Sequence, residues 1–180
     1  MNVTLDGYCD HTLMLPDDEL MEHYNEQMRN TGALIYGRKT YQLMEDYWPL
    51  LVKNPGADKP DNEFAVLMAN VSKVVFSRTL ERVVWKNSML MKGELKEEVL
   101  KLKQQAGKDL FVGSPSLIAQ LTQLGLIDEY RLCIHPVVAG GGLVLFKGIE
   151  SKIGFRLVNT KTFKSGVVAL YYERGDDSGK

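Results

Sequence analysis

Apolar positions recur along the first part of the chain in two alternating rhythms. Short continuous runs read as buried strands: Ala33-Leu34-Ile35-Tyr36, Lys73-Val74-Val75-Phe76-Ser77 and Asp109-Leu110-Phe111-Val112-Gly113. Between them, apolar residues three to four apart read as helices with one inward face. Leu20, Met21, Tyr24 and Met28 share such a face over Asp17 to Asn30, and Asp17, Asp18 and Glu19 put negative charge in the first turn, where the helix dipole favours it. Leu95, Val99 and Leu102 do the same over Glu94 to Gln105. A helix opens after Gly37 with Tyr41, Leu43 and Met44, and Phe64 to Met68 reads as a short helical stretch. After Gly113, Ser114 is a cap, Pro115 fits a first helical position, Leu117, Ile118, Leu121 and Leu124 point inward, and Gly125 closes the helix.

The rhythm changes toward the end. Tyr130 to Val138 alternates, with Tyr130, Leu132 and Ile134 on one face and Arg131, Cys133 and His135 on the other; Pro136 marks an edge or a strand end. Phe155 to Phe163 and Val167 to Glu173, joined by Lys164-Ser165-Gly166, read as an antiparallel hairpin. Asn2 to Leu5 is a short strand before the Asp6-Gly7 turn; Val83 with Val84, and Ser88 to Met91, are further strand candidates. Pro49 to Glu63 carries Pro49, Pro55, Gly56 and Pro60 among charges and reads as a long loop, expected to be mobile and to border a substrate. Strand–helix alternation followed by antiparallel strands predicts a mixed sheet with helices on both faces.

Composition narrows the class. The chain has 180 residues, 44% hydrophobic and 25% charged, which suits one globular domain over 1–175 and a polar, disordered tail over 176–180. A formal net charge of -1 with no basic block excludes a general nucleic-acid footprint. No apolar run is long enough to span a membrane, and the first residues carry no signal-peptide pattern. Cys9 and Cys133 lack metal-ligand spacing, so no metal is expected and both read as thiols in a reducing cytoplasm; sequence leaves a disulfide between them open.

Chemistry concentrates where strands end. Gly37-Arg38-Lys39-Thr40, Ser77-Arg78-Thr79 and Gly113-Ser114-Pro115-Ser116 each follow a strand. Ligands of open α/β sheets bind outside the carboxyl ends of strands, and helix starts there offer N–H groups to an anion. Arg38 adds a planar charged fork and Thr40 a hydroxyl. Each segment alone also reads as an ordinary strand–helix turn with surface cations; converging, they suit a long anionic ligand such as a dinucleotide.

Thr4-Leu5-Asp6-Gly7, Gly37-Arg38-Lys39-Thr40, Phe76-Ser77-Arg78, Val112-Gly113-Ser114 through Leu117, and His135-Pro136-Val137-Val138-Ala139-Gly140-Gly141-Gly142 occur in this order. In this the chain resembles the dihydrofolate-reductase-like family, and within it the C-terminal reductase domain of riboflavin-biosynthesis deaminase–reductases and its stand-alone bacterial relatives. The resemblance implies an α/β, dihydrofolate-reductase-like three-layer fold: a mixed, mostly parallel central sheet with a C-terminal antiparallel hairpin and helices on both faces. It implies NADPH as cofactor, with the pyrophosphate near Gly37, Thr40, Gly113, Ser114 and Ser116. Arg38, Ser77 and Arg78 would hold the adenosine end and its 2′-phosphate, Leu117 would lie under the cofactor, and Asp6 and Gly7 beside the nicotinamide. Asp6 is the one catalytic candidate, as organiser of a water.

The expected activity is NADPH-dependent reduction of a small heterocycle, pterin-like or ribosyl-pyrimidine-like. The alternative is a binding module that keeps the fold without turnover. The expected partner is a small-molecule substrate, with no nucleic acid and no membrane; a homodimer stays open. Departures from the family pattern bear on this. Only five residues precede Asp6, so the first strand, expected inside the sheet, is short or the native chain begins upstream. Pro115 removes one N–H from the phosphate turn. The deaminase motif is absent. Asp18 and Glu19 read as dipole-matched surface acids. Gly140-Gly141-Gly142 reads as a permissive turn more than a phosphate loop. His11, His23 and His135 share no motif, Tyr47-Trp48 either pack or line a pocket, and Met14, Met21, Met28, Met44 and Met68 read as core filler.

Overall fold

The computed structural model describes residues 1–9, 12, 14–15, 17–53 and 60–175. The chain forms two compact units: Asp18–Leu117, and Met1–Asp17 together with Ile118–Lys180. The fold is α/β, with parallel and antiparallel strand pairs in two four-stranded sheets.

The Asp18–Leu117 unit contains α1 (Asp18–Arg29), β2 (Thr31–Gly37), α2 (Arg38–Lys53), α3 (Pro60–Asn70), β3 (Ser72–Phe76), β4 (Ser88–Met91), α4 (Leu95–Lys103) and β5 (Asp109–Val112). Its sheet is all parallel, in the order β4-β3-β2-β5. Ala33, Leu34, Ile35 and Tyr36 are all buried, which is why this strand reads as a continuous apolar run: a parallel strand covered on both faces has no polar side. Leu34, Tyr36, Tyr41, Met68, Val75 and Trp85 form a core cluster onto which Met28, Met44, Trp48 and Phe64 pack.

Two expectations fail here. The Pro49–Glu63 stretch is not one loop: α2 continues through Pro49 to Lys53, and α3 starts at Pro60. Trp48 explains the continuation, because its ring packs edge-on against Phe64 of α3 at 4.8 Å and so rewards another helical turn past the core. Pro60 sits where a helix tolerates proline best, at its first position. Residues 54–59 lie outside the described residues, so the expected mobility there stands as an expectation. Val83 and Val84 form no strand, since the N–H groups of Val84 and Trp85 donate to the Tyr41 hydroxyl at 3.1 and 2.9 Å instead of to a ladder.

The other unit contains β1 (Asn2–Thr4), β6 (Glu129–His135), β7 (Phe155–Thr162) and β8 (Val168–Arg174), in the order β1-β6-β8-β7. β1 runs parallel to β6, while β6 with β8 and β7 with β8 are antiparallel. The terminal hairpin forms as expected, with Gly166 at φ +82° in its turn. β1 corrects an expectation: it is an edge strand of this sheet rather than an internal one, although Val3 and Thr4 are buried. Pro136 lies one residue past the end of β6. The helix α5 (Pro115–Gln123) follows Ser114 as expected, and Gly125 closes it at φ +67°; Leu124, expected inward, is instead 40% exposed because the helix has ended before it. The tail 176–180 lies outside the described residues. Among the described residues no helix is long and apolar enough to cross a membrane.

Candidate functional site

Register brings the predicted strand ends to one edge. Gly37 at the end of β2 lies opposite Phe76 at the end of β3, and Ile35 lies opposite Val112 at the end of β5. Arg38, Ser77-Arg78 and Gly113-Ser114 therefore leave the carboxyl edge of the same parallel sheet. Thr40 stands in the first turn of α2. Both α2 and α5 begin at this edge, so the positive dipole ends of two helices open there.

The strand ends also bind each other. The N–H of Gly37 donates to the buried Ser114 hydroxyl at 2.8 Å. A Cβ on Gly37 would touch Leu117 Cγ at 3.7 Å and the hydroxyls of Ser114 and Ser116 at 3.8 Å each, so these four residues form one close junction. Ser116 is exposed and Leu117 is buried. Gly113 has a packing reason: a Cβ there would lie 2.6 Å from the Tyr36 ring, closer than any side chain permits. The Ser77 oxygen accepts from the N–H groups of Leu80 (2.9 Å) and Thr79 (3.3 Å), which leaves its hydrogen to donate. Arg78 Nη2 donates to Glu94 Oε1 at 2.8 Å, whereas Arg38 Nη1 makes only a 3.4 Å contact to Gln42 Oε1. Exposed cations, hydroxyls and helix starts at one sheet edge can hold a phosphate-bearing ligand.

Two residues carried no signal in the sequence, Tyr41 at this edge and Lys73 near the amino end of β3. Tyr41 is buried, donates to Glu45 Oε1 at 2.6 Å and accepts from Val84 and Trp85, so it ties α2 to the segment that follows Ser77-Arg78. The sequence placed this tyrosine, four residues after Gly37, only on the helix that opens there. Lys73 is fully buried, and nothing in its local sequence marks it.

Asp6 belongs to the other unit. Its carboxylate accepts from the Thr4 hydroxyl (2.6 Å) and from the N–H groups of Ala139 (3.0 Å) and Gly140 (2.8 Å). These bonds, the Thr4 one foremost, hold its pKa down to about 2. At neutral pH Asp6 is therefore an acceptor and gives up no proton of its own. The first N–H groups of the glycine turn are spent on this carboxylate, consistent with a permissive turn: Gly140 has φ +70° and Gly142 φ +128°. In the same unit His135 is buried, and burial holds its pKa below the usual value. Cys9 and Cys133 are free thiols, and burial pushes Cys9 up to about 11. Among the described residues no cluster of His, Cys, Asp and Glu could hold a metal ion.

Residues 1–169 match the family model described as the RibD C-terminal domain. The uncharacterized protein YyaP of Bacillus subtilis (strain 168) is 38% identical over 178 residues, covering 94% of this chain and 90% of its own. Among solved structures, a candidate riboflavin biosynthesis protein from Shewanella sp. PV-4 superposes with a TM-score of 0.73 at 21% identity, covering 97% of this chain and 96% of its own. A pyrimidine reductase-like protein from Corynebacterium diphtheriae gives 0.65 at 15% identity, over 98% of this chain and 90% of its own. Dihydrofolate reductase from Enterococcus faecalis, complexed with NADP(H), gives 0.61 at 14% identity, over 97% and 94%. At these identities the structures establish the fold.

Proposed function

The chain belongs to the RibD C-terminal domain family, and on that premise we propose that it is an oxidoreductase that uses NADPH to reduce a small planar heterocycle of the pterin or ribosyl-pyrimidine kind. One observation carries the reading: Gly37-Arg38, Ser77-Arg78 and Ser114-Ser116, picked out as phosphate-friendly, leave one carboxyl edge of one parallel sheet. The residues present fit the cofactor's charges. The starts of α2 and α5, with Thr40 and the exposed Ser116, would hold the pyrophosphate, and Arg38, Ser77 and Arg78 the 2′-phosphate. The nicotinamide, when bound, supplies the hydride. The chain's own part is to orient the ligand by these groups. Asp6, ionised and fixed by three donors, offers a hydrogen-bond acceptor and no proton, so any proton delivered must come from water or substrate. That same absence of a protonated carboxyl at Asp6 favours the second reading, a binding module without turnover.

Calorimetry with NADPH and NADH tests the cofactor. A charge-assisted hydrogen bond is worth about 1.5–3 kcal/mol, so NADPH should bind at least about tenfold more tightly. Arg38→Ala should shrink that preference with the fold intact, and equal affinities would remove the basis for NADP specificity. NADPH consumption with a panel of pterins and ribosyl-pyrimidines then separates the reductase from the binding module.

A further inference from the structure

We infer that Glu94 tempers the NADPH preference of this sheet edge by serving as the resident counter-ion of Arg78, an inference that rests on the NADPH reading above. Phe76 of β3 and Met91 of β4 are register partners, and the N–H of Ser77 donates to the Met91 carbonyl at 3.2 Å. The residues that follow, Ser77-Arg78 on one strand and Lys92 to Glu94 on the other, thus leave the sheet side by side. The Arg78–Glu94 pair closes across them at 2.8 Å. The two arginines of the edge consequently differ: Arg38 faces a neutral amide, and Arg78 faces a carboxylate.

A 2′-phosphate must take Arg78 from Glu94 and then tolerate that carboxylate nearby. NADH bears neither cost, and its 2′-hydroxyl can donate to Glu94, the way an acidic side chain at a strand end selects an unphosphorylated ribose elsewhere. Both partners are largely exposed, at 77% and 70%, so the pair exchanges readily and its effect is modest. Glu94 precedes α4 as its N-cap, yet its side chain makes no capping hydrogen bond. Replacing the carboxylate therefore leaves the helix start as it is.

The test is Glu94→Gln in the full chain, with NADPH and NADH affinities measured by calorimetry at low salt. NADPH should bind about twofold to fivefold more tightly than to the unsubstituted protein, with NADH unchanged or weaker. Glu97→Gln, an exposed acid on the same helix, is the control for net charge and should leave the ratio where it was. An unchanged NADPH-to-NADH ratio in Glu94→Gln overturns the inference while the NADPH reading stands. An equal shift in Glu97→Gln also overturns it, by making the effect one of net charge. Failure of the unsubstituted protein to bind either cofactor overturns the reading beneath it, and the inference with it.

Discussion

Burying an unpaired ammonium ordinarily costs several kcal/mol, yet Lys73 is fully buried. Its Nζ donates to the carbonyls of Ala69 (3.2 Å), Val71 (3.0 Å) and Lys86 (3.1 Å) and lies 4.2 Å from the Trp85 ring centroid. Ala69 and Val71 sit at and just past the C-terminal end of α3, where the helix dipole favours a cation. Lys73 thus caps a helix from a strand, and Trp85 covers it. Burial still lowers its pKa, to about 8 from 10.5. Between those values the unfolded chain holds a proton that the folded chain has released, so this group's contribution makes stability rise as pH increases through that window. Lys73→Ala should lose the three donations and leave a cavity beside Trp85, costing about 2–4 kcal/mol in urea unfolding at neutral pH. A change under about 0.5 kcal/mol would show the lysine to be incidental. Asp6 makes a second case at this scale. Asp6→Asn keeps the shape but replaces one acceptor oxygen by a donor, so the Ala139 and Gly140 amides should exchange with solvent faster, which NMR reads directly. Neither role was legible. A lysine opening an apolar run looks like a strand's polar end, and a carboxylate's partners 133 and 134 residues away leave no local trace.

At the scale of elements, sequence signals worked wherever both ends of an element carried their own chemistry. Ser114, Pro115 and Gly125 bracket α5, and Lys164-Ser165-Gly166 places the terminal hairpin. They failed where a long-range contact outweighed a local signal. Pro49 reads as a helix breaker, but the Trp48–Phe64 contact carries α2 past it. Val83-Val84 reads as a strand, but Tyr41 takes the backbone N–H groups of the loop. The three strand ends of the candidate site were legible because each combines glycine or serine with a helix start or a cation. That the ends lie side by side depends on register, which the run lengths do not encode. The Tyr41 tether gives an asymmetric prediction. In Tyr41→Phe the Val84 N–H loses its acceptor, whereas the Trp85 N–H keeps Glu45 Oε1 at 3.1 Å. Hydrogen exchange at Val84 should therefore accelerate more than at Trp85, with about 1–3 kcal/mol of stability lost. Equal acceleration at both amides would mean that Glu45 contributes nothing to the tether.

For the whole molecule, the response to acid is set by groups whose folded and unfolded pKa values differ. His135 is one. The Leu15 N–H donates to its Nδ1 at 3.1 Å, which assigns the ring proton to Nε2, facing Asn2 Oδ1 at 3.2 Å. Protonating Nδ1 would set two hydrogens against each other and charge a buried ring. Burial accordingly lowers its pKa from 6.5. Well above 6.5 both folded and unfolded chains hold a neutral ring, and this group takes nothing from the stability. As pH falls below 6.5 the unfolded chain takes up the proton first, so stability falls until the folded ring titrates as well. Asp6 acts in a lower window, since its stabilisation is complete above 3.8 and is lost as pH falls through about 2. The two contributions are separable because the windows do not overlap near neutrality. Urea unfolding followed from pH 7.5 down to 5 should show a decline no steeper than about 1.4 kcal/mol per pH unit from one proton. His135→Gln keeps an amide able to accept from Leu15 and removes the titrating ring, so the curve should flatten over that range even if its overall level drops. A decline of unchanged slope in His135→Gln would assign the acid sensitivity to another group and leave His135 as packing alone.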